Sequence, residues 1–343
     1  MTLPQVDNKR ALLPKHFALV SVLLLILFVI SIGMSLAFGS RTIGWQGLMD
    51  GLFHPSVQSH EASVVRQRIA RTIFGLMCGA ALGIAGSLMQ AVTRNPIADP
   101  SILGVNTGAS LFVVCGIAFL GISSAEEYIW LAIIGAMLTA IFVFGIGSLG
   151  ASGATPLKLV LAGAATSAIL SSLVTAIMIP RSNVMDQFRF WQVGSVGSAK
   201  WTSIEIFIPF LVVGVIIALF AAPALNALAL GDEVAKGLGV NTTFIRVIAA
   251  LGGVLLCGAA TALAGPIGFI GLLATHLIRL MLGPDIRFII PFSAIAGAII
   301  LMISDVCGRF LGSPGELEVG ILTAFIGAPI LIIITMKAKM RAI

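Results

Sequence analysis

A pair of opposite charges inside an apolar run is the first place where this chain could do chemistry. Asp305 is the clearest acid within a hydrophobic stretch, and Arg309 follows four residues later on the same face of a helix. Because a charge in lipid is costly and usually functional, the carboxylate could hold a proton or an ion. Alternatively, the two groups neutralise each other near a helix end, with Arg309 reaching the outer surface. The spacing fits both interpretations.

Two other polar features lie in apolar surroundings. His276 could relay protons, or it could be a hydrogen-bonded packing residue. A stripe of small residues recurs every four positions and therefore shares one helix face: Gly163, Ser167, Ser171 and Thr175. Such a stripe is either a close helix–helix contact or the lining of a hydrated path.

The composition determines which scaffold must position these residues. Of 343 residues, 58% are hydrophobic and only 10% charged, whereas a soluble domain has about 25% charged residues. This low charge content excludes a soluble enzyme and predicts an all-α, polytopic membrane protein. The apolar runs predict ten transmembrane helices, at about residues 17–38, 69–92, 101–122, 128–149, 156–179, 202–224, 245–265, 267–283, 288–308 and 318–336.

Some of these assignments required a choice. The first run has the charged start of a signal peptide, but its 22 uncharged residues exceed the roughly 7–15 of a signal's apolar core, which favours a retained span. Residues 245–283 are too long for one helix, and Gly265-Pro266-Ile267-Gly268 breaks them.

Ten spans put both termini on one side. With the termini in the cytoplasm, twelve of the 20 Lys and Arg residues lie inside, as the positive-inside rule favours.

An internal repeat emerges when the chain is shifted by 179 positions. The nine residues from Cys78 then lie over the nine from Cys257, and six of the nine are identical. Five spans separate the two copies, so they would cross the membrane in opposite directions, as in the inverted repeats of transporters. Chance similarity between two Ala- and Gly-rich helices is the alternative explanation.

The sequence lacks the motifs of an enzyme, a metal site or a nucleic-acid interface. No lysine follows a glycine, so the phosphate-binding motif G-x-x-x-x-G-K is absent. The four cysteines and four histidines are dispersed at no metal-ligand spacing, and we therefore predict neither a metal nor another cofactor. The net charge of +6 comes from scattered basic residues, which gives no reason to expect a nucleic-acid partner.

Two cytoplasmic connections are more ordered than simple loops. In R-N-P-I-A-D-P from Arg94, two prolines restrict the backbone and predict a rigid structural turn made by Asn95, Pro96, Asp99 and Pro100. The connection 225–246 contains L-G-D-E-V-A-K-G-L-G-V from Leu230, which predicts a short helix with acidic residues at its start and glycines near its end. That helix is either a docking surface for a soluble partner or an ordinary connecting helix lying on the membrane.

Together these motifs resemble the FecCD family of ABC importer permeases. The resemblance runs from about residue 66 to 330, and its motifs are R-I-A-R from Arg68, C-G-A-A-L-G-I-A-G-S-L-M-Q from Cys78, R-N-P-I-A-D-P-S-I-L-G-V from Arg94, W-Q-V-G-S-V from Trp191, L-G-D-E-V-A-K-G-L-G-V from Leu230, G-P-I-G-F-I-G-L from Gly265, G-P-D-I-R from Gly283 and E-L-E-V-G-I-L-T-A-F-I-G-A-P from Glu316. Two positions depart from the family pattern: R-L-P-R is R-I-A-R here, and the usual P-H before the eighth-helix arginine is Thr275-His276.

The resemblance implies a type II ABC importer fold and a set of partners. Such permeases have ten helices and pair as dimers, with the translocation path between the subunits, and the second permease is either a copy or a related chain. ATPase subunits bind on the cytoplasmic side, and an external substrate-binding protein delivers the cargo. The family moves ferric siderophores, haem and vitamin B12, and we expect an iron–siderophore complex because it is the commonest cargo.

The resemblance also implies roles for particular residues. Docking of the external binding protein is expected at Arg68, Arg71 and Arg309. Coupling to the ATPase is expected at Leu230, Gly231, Asp232, Glu233, Ala235, Gly237, Leu238 and Gly239. The translocation path is expected along Ser167, Ser171 and Thr175. We further expect one transmembrane permease domain over 1–343, with a cytoplasmic tail at 1–16 and a coupling segment at 225–246, in the plasma (inner) membrane. The rival hypotheses are a proton-coupled secondary transporter that uses Asp305 and His276, and a passive channel.

Overall fold

The computed structural model describes residues 14–39, 43–54, 56–57, 59–122, 125–149 and 156–340, so most of the predicted tail at 1–16 lies outside the described residues. Within these ranges the regular secondary structure is entirely helical. The helices are α1 (Pro14–Ala37), α2 (Trp45–Phe53), α3 (His60–Thr93), α4 (Val105–Leu120), α5 (Ala125–Gly147), α6 (Pro156–Met178), α7 (Ser182–Gln192), α8 (Trp201–Ala229), α9 (Asp232–Gly237), α10 (Thr242–Ala264), α11 (Ile270–Leu282), α12 (Ile286–Leu311) and α13 (Val319–Met340). A 3-10 helix, Pro100–Leu103, precedes α4.

Each of the ten predicted spans corresponds to one of these helices. Seven of them (α1, α3, α5, α6, α8, α10 and α12) are long and apolar enough to cross a membrane. Three shorter apolar stretches complete the set: Val105–Leu120, Ile270–Leu282 and Val319–Ile333. The prediction of an all-α, multi-pass membrane protein is therefore confirmed. The sequence reasoning did not find α2 or α7, which are short helices between spans.

The predicted break in the long run 245–283 is present. Helix α10 ends at Ala264 and α11 begins at Ile270, and Gly265 and Phe269 both have positive φ angles between them, 75° and 68°. The backbone of this break packs against the segment after α7, where Ser195 N donates to Ala264 O at 2.6 Å. A Cβ on Gly265 would collide with the carbonyl oxygen of Trp191, so this crossing requires glycine.

Helix α3 lies at the centre of the bundle and packs antiparallel to α12. Along α3, Gly75 faces Met302, Gly79 faces Gly297 and Gly83 faces Ser293, so the numbers rise on one helix as they fall on the other. A Cβ on Gly79 would lie 2.5 Å from the carbonyl oxygen of Gly297, which means that the two backbones touch. Small residues permit this close approach between membrane helices.

Helix α3 begins nine residues earlier than the predicted span, at His60 rather than at residue 69. The Ser59 side chain caps it by accepting a hydrogen bond from Ala62 N at 3.1 Å. The predicted start was too late because Arg66 and Arg68 were assigned to a connection outside the membrane. The family's proline, which would fix a later helix start, is alanine at position 70, and the helix therefore runs through both arginines.

The two ends of the bundle can be told apart by their polar groups. Arg71 and Arg94 are 23 positions apart on α3, which corresponds to about 35 Å, close to the thickness of a bilayer core. Arg94 lies at the end that carries α9, where it pairs with Asp232. Helix α1 begins at this same α9 end, where His16 Nε2 lies 2.9 Å from the carbonyl oxygen of Met281, near the end of α11.

Candidate functional site

A charged cluster lies at the end of the bundle opposite α9, and Asp305 is at its centre. Arg71 Nη2 donates to Asp305 Oδ1 at 2.7 Å, and Arg309 Nη2 lies 3.0 Å from Asp305 Oδ2. Arg71 Nη1 also donates to Glu316 Oε2 at 2.7 Å. The Asp305 side chain is 3% exposed and that of Glu316 is 37% exposed, so the cluster extends from the interior of the bundle to its surface.

The same cluster holds the end of α1. Arg309 Nη1 donates to the carbonyl oxygens of Ser35 and Phe38, at 2.9 and 3.0 Å. Arg68 Nη1 donates to those of Leu36 and Ala37, both at 3.0 Å. These are the carbonyls that a helix leaves without partners at its C-terminus, where positive charge is also favoured. Two arginines from two other helices therefore cap α1.

The structure brings the three predicted docking arginines together, but in an unexpected way. Arg68 and Arg309 are only 7% and 2% exposed, and they face α1 instead of the surface. Of the two interpretations of Asp305, the neutralised pair describes the geometry, although Arg309 does not reach the surface as that interpretation supposed. Sequence spacing revealed Arg309 but not Arg71, which pairs with Asp305 from 234 positions away.

Helix α9 and the residues just outside its two ends present three exposed apolar side chains, here called the apolar stripe, outside the membrane spans. Leu230, Val234 and Leu238 follow one another at intervals of four residues and are 68%, 49% and 64% exposed. Ala235 is fully buried and fixes the opposite face of the helix. Glycines with positive φ lie on either side of the helix, Gly231 at 119° and Gly239 at 80°. The sequence reasoning missed Val234, although its spacing from Leu230 and Leu238 was visible.

Asp232 connects this short helix with two others. Its Oδ1 accepts a hydrogen bond from Arg246 Nη2 of α10 at 2.8 Å, and another from Arg94, the C-cap residue of α3. Partial burial raises the pKa of Asp232, but the hydrogen bonds and charges of Arg246 and Arg94 outweigh this effect and hold the pKa below its usual value. The carboxylate is therefore ionised at neutral pH.

The turn after Arg94 is closed by its own side chains. Asn95 Oδ1 accepts from Ile97 N at 3.1 Å, and Asp99 Oδ1 accepts from Ser101 N at 2.9 Å, where it caps the 3-10 helix that begins with Pro100. Pro96 lies between these two hydrogen-bonded turns. The Arg94–Asp232 pair brings this turn beside α9, a proximity that the sequence did not reveal.

A second polar contact at the α9 end joins α8 to α12. Asn226 Nδ2 donates to Asp285 Oδ1 at 2.6 Å, and Asn226 Oδ1 accepts from Ile286 N at 2.9 Å. Asp285 caps α12 by accepting from Arg287 N at 3.0 Å. Hydrogen bonds from the Arg287 side chain, and then from Asn226, lower the pKa of Asp285 to about 2. Because α8 leads directly into α9, this contact fixes the base of the short helix.

The stripe of small residues on α6 divides into two halves. Gly163 is buried and Ser167 half-buried, and Thr107 of α4 donates to the Ser167 hydroxyl at 3.2 Å. Ser171 and Thr175 are exposed and line an open groove of about 420 Å³ together with Ser172, Ala176 and Ile179. The first half therefore packs against α4, and the second half is open.

No cluster of three or more His, Cys, Asp or Glu side chains with metal-binding geometry occurs among the described residues. The four cysteines are free thiols. His276, the second residue of the proton-relay hypothesis, lies on α11, whereas Asp305 is engaged by Arg71 and Arg309. The geometry thus offers polar contacts that hold and connect helices.

Comparison with known proteins agrees with this architecture. The sequence profile of the FecCD transport family matches residues 23–337. The ferric enterobactin transport system permease protein FepD of Escherichia coli (strain K12) is 40% identical over 316 residues, which are 92% of this chain and 94% of FepD. The Fe(3+)-citrate import system permease protein YfmD of Bacillus subtilis (strain 168) is 39% identical over 318 residues, 93% of this chain and 94% of YfmD.

A solved structure shares the fold over nearly the whole chain. It is described as an inward-facing conformation of a metal-chelate type ABC transporter, and it superposes with a TM-score of 0.79 at 26% identity, covering 94% of this chain and 99% of its own. Family and fold together imply ATPase and substrate-binding partners and confirm that this chain is a transport subunit and not an enzyme. The chain belongs to the FecCD transport family and is a multi-pass permease subunit of an ABC importer, in which the ATPase is a separate subunit.

Proposed function

We propose that this chain carries an iron–siderophore complex across the plasma membrane, driven by ATPase subunits that bind at the α9 end. The observation that carries the proposal is the exposed apolar stripe of Leu230, Val234 and Leu238, outside the membrane spans. Contiguous exposed apolar residues mark protein interfaces, and a permease must hold a soluble ATPase. Relatives named for ferric enterobactin and ferric citrate transport support iron-chelate cargo.

In this proposal the α9 end faces the cytoplasm. Residues 1–343 then form one permease domain with a cytoplasmic tail at 1–16, a coupling segment at 225–246 and both termini inside. The excess of Lys and Arg in the segments assigned to this side supports the orientation. The coupling residues are Leu230, Gly231, Asp232, Glu233, Ala235, Gly237, Leu238 and Gly239. Among them the exposed Leu230 and Leu238, together with the exposed Val234, contact the ATPase, whereas the buried Ala235 and the ion-paired Asp232 hold the helix in place.

The external binding protein docks at the opposite end, on the charged cluster of Arg68, Arg71 and Arg309. The cluster contains three guanidinium groups but only two carboxylates, Asp305 and Glu316, so it keeps a positive charge that attracts acidic side chains. Arg71 makes the direct contact, because it already binds the partly exposed Glu316. Arg68 and Arg309 act from behind it by holding the end of α1.

A second permease, either a copy or a related chain, faces the open half of the α6 stripe and closes the translocation path. Ser171 and Thr175 are exposed there, and their hydroxyls give this groove on α6 a polar wall. Ser167 is half-buried at the inner limit of this surface. A wide polar path with few specific contacts suits a bulky hydrophilic chelate that the binding protein has already selected.

Affinity purification of the tagged chain from its native membranes, with mass spectrometry of the proteins that accompany it, tests the assembly. We expect a stoichiometric ATPase and a second permease, and we expect Leu238→Ser to reduce ATPase recovery at least tenfold. Leu317→Ser, a change of the same kind at an exposed leucine of the opposite end, is the matched control and should leave recovery unchanged. Equal loss in both variants would contradict the assignment of α9.

Uptake of radioactive iron tests the cargo and the energy source. Cells that rely on this chain should import catecholate, hydroxamate or citrate chelates of iron, and ATP depletion should stop the import. If a protonophore stops import at normal ATP levels and no ATPase accompanies the purified chain, the secondary-transporter hypothesis replaces this one. Import that survives the loss of both energy sources would point to a passive channel.

A further inference from the structure

The clamp formed by Arg94, Asp232 and Arg246 joins three segments that lie far apart in the chain. Asp232 is the first residue of α9, Arg94 is the C-cap residue of α3, and Arg246 lies near the start of α10. Both guanidinium groups donate to the same carboxylate oxygen, Asp232 Oδ1. A single side chain of α9 therefore holds the ends of the two central helices of the bundle.

The rest of α9 packs mainly against its neighbours in sequence, α8 and α10. The link to α3 is different, because it depends on the Arg94–Asp232 pair. Arg94 has a φ angle of 49°, which an arginine rarely adopts, and this conformation ends α3 and aims the side chain at α9. The backbone conformation of Arg94 thus places its guanidinium group where it can pair with Asp232.

The Arg94–Asp232 pair is too exposed to be explained by stability, although Arg246, the other partner of Asp232, is only 14% exposed. The side chains of Arg94 and Asp232 are 34% and 37% exposed, and ion pairs in such surroundings contribute little to folding. The Arg94–Asp232 ion pair can, however, make α3 follow α9 when α9 moves. Its position, between a surface-exposed helix and the two most enclosed helices, fits transmission of movement.

We propose that Asp232 is the positioning residue through which a displacement of α9 moves α3 and α10. The proposal rests on the proposed function, in which the ATPase supplies that displacement. The apolar stripe of Leu230, Val234 and Leu238 binds the ATPase, and the carboxylate on the first turn connects the bound helix to the membrane core. Docking and transmission are therefore separate properties of the short segment 230–238.

The alternative is a purely local role, in which Asp232 stabilises α9 because an acidic residue is favoured at a helix start. Arg94→Asn combined with Arg246→Gln distinguishes the two roles. This pair leaves Asp232 and the helix start intact but removes both partners, and asparagine tolerates the positive φ at position 94. If Asp232 acts only locally, the double arginine variant should behave like the wild type. If Asp232 is a clamp, the double variant should show the same change as Asp232→Asn.

The first test is hydrogen–deuterium exchange on the full-length purified chain, which needs no partner. Asp232→Asn and the double arginine variant should each accelerate amide exchange in residues 230–240 about fivefold, and combining all three changes should add nothing further. Asp232→Glu keeps the carboxylate and should restore slow exchange. Lys236→Gln, which removes a charge from the same helix, is the control. Unchanged exchange in the double arginine variant overturns the clamp.

The second test measures coupling in the reconstituted importer with its ATPase subunits. Asp232→Asn should retain the ATPase at wild-type stoichiometry but import at least fivefold less radioactive iron chelate per ATP hydrolysed. A normal import ratio in this variant would overturn the transmitting role. Absence of the ATPase from the wild-type complex would instead contradict the proposed function, and the exchange experiment would still decide whether the clamp exists.

Discussion

Arg71 and Asp305 form a forked ion pair between α3 and α12, in which Nη2 and Nε of the guanidinium both donate to the carboxylate, Nη2 at 2.7 Å and Nε at 3.2 Å. Arg309 takes the second carboxylate oxygen, so one buried acid serves two arginines. Both carboxylate oxygens are thus occupied by guanidinium groups. The geometry therefore favours a structural role for Asp305 over a relay.

Replacement of Asp305 by asparagine should destabilise the chain severely, because the buried Arg309 would lose its counter-charge and Arg71 would keep only Glu316. Removing one partner of a buried ion pair costs about 3–5 kcal/mol. Thermal unfolding of the purified protein should show this loss, and Asp186→Asn, at a carboxylate that is 60% exposed, is the matched control. Wild-type stability together with loss of proton-dependent uptake would revive the relay hypothesis.

Alanine at Gly79 should disturb the contact between α3 and α12. The new Cβ would lie 2.5 Å from the carbonyl oxygen of Gly297, and overpacking of this kind costs about 1–3 kcal/mol. Gly33→Ala on α1 is the control, because a Cβ there meets nothing within 4 Å and alanine favours the helix by about 0.5–1 kcal/mol. Thermal midpoints should move in opposite directions, and a similar shift in both variants would contradict the packing argument.

Glu316→Gln should strengthen binding of the external binding protein, if that protein docks at Arg71. Glu316 competes for Nη1 of Arg71, and it is partly exposed, so its ion pair contributes about 0.2–1 kcal/mol. Releasing it should tighten binding up to about fivefold. Titration of the reconstituted importer with its binding protein measures this change. Weaker binding would show that Glu316 assists docking instead of competing with it.

The cap of α12 should give the chain a defined dependence on acid. The folded pKa of Asp285, about 2, lies below its ordinary value of 3.8, so its contribution to stability is present above about pH 4 and is lost as the pH falls towards 2. The difference in thermal midpoint between the wild type and Asp285→Asn should be constant from about pH 5 to pH 7 and shrink below about pH 4. A difference that grows on acidification would contradict this assignment.

The spans could be predicted because they depend on local chemistry. Twenty or so apolar residues specify a helix wherever they occur, and the proline and glycines at 265–268 interrupt a helix in any context. The start of α3 was missed for the opposite reason. Arg68 is stable inside a helix only because α1 supplies carbonyl oxygens more than thirty positions away, and hydropathy does not contain that information.

The polar contacts show the same division. The spacing of Asp305 and Arg309 was visible because both lie on one helix face. The pairing of Asp232 with Arg94 was not visible, since 138 positions separate them and only the folded bundle brings them together. The family resemblance grouped Arg68, Arg71 and Arg309 at one site, which spacing alone did not. It did not indicate that Arg68 and Arg309 face the interior of the bundle.

Helix α3 contains no proline, whereas α8 has Pro209 and Pro223, α12 has Pro291 and α13 has Pro329. A proline allows a helix to bend, so α3 is the stiffer element, and it carries Arg71 at one end and Arg94 at the other. A rod of about 35 Å that contacts both sides of the membrane moves as a whole. If events on the two sides of the membrane follow one another, the proline-containing helices α8 and α12 that pack against α3 are where bending can separate them.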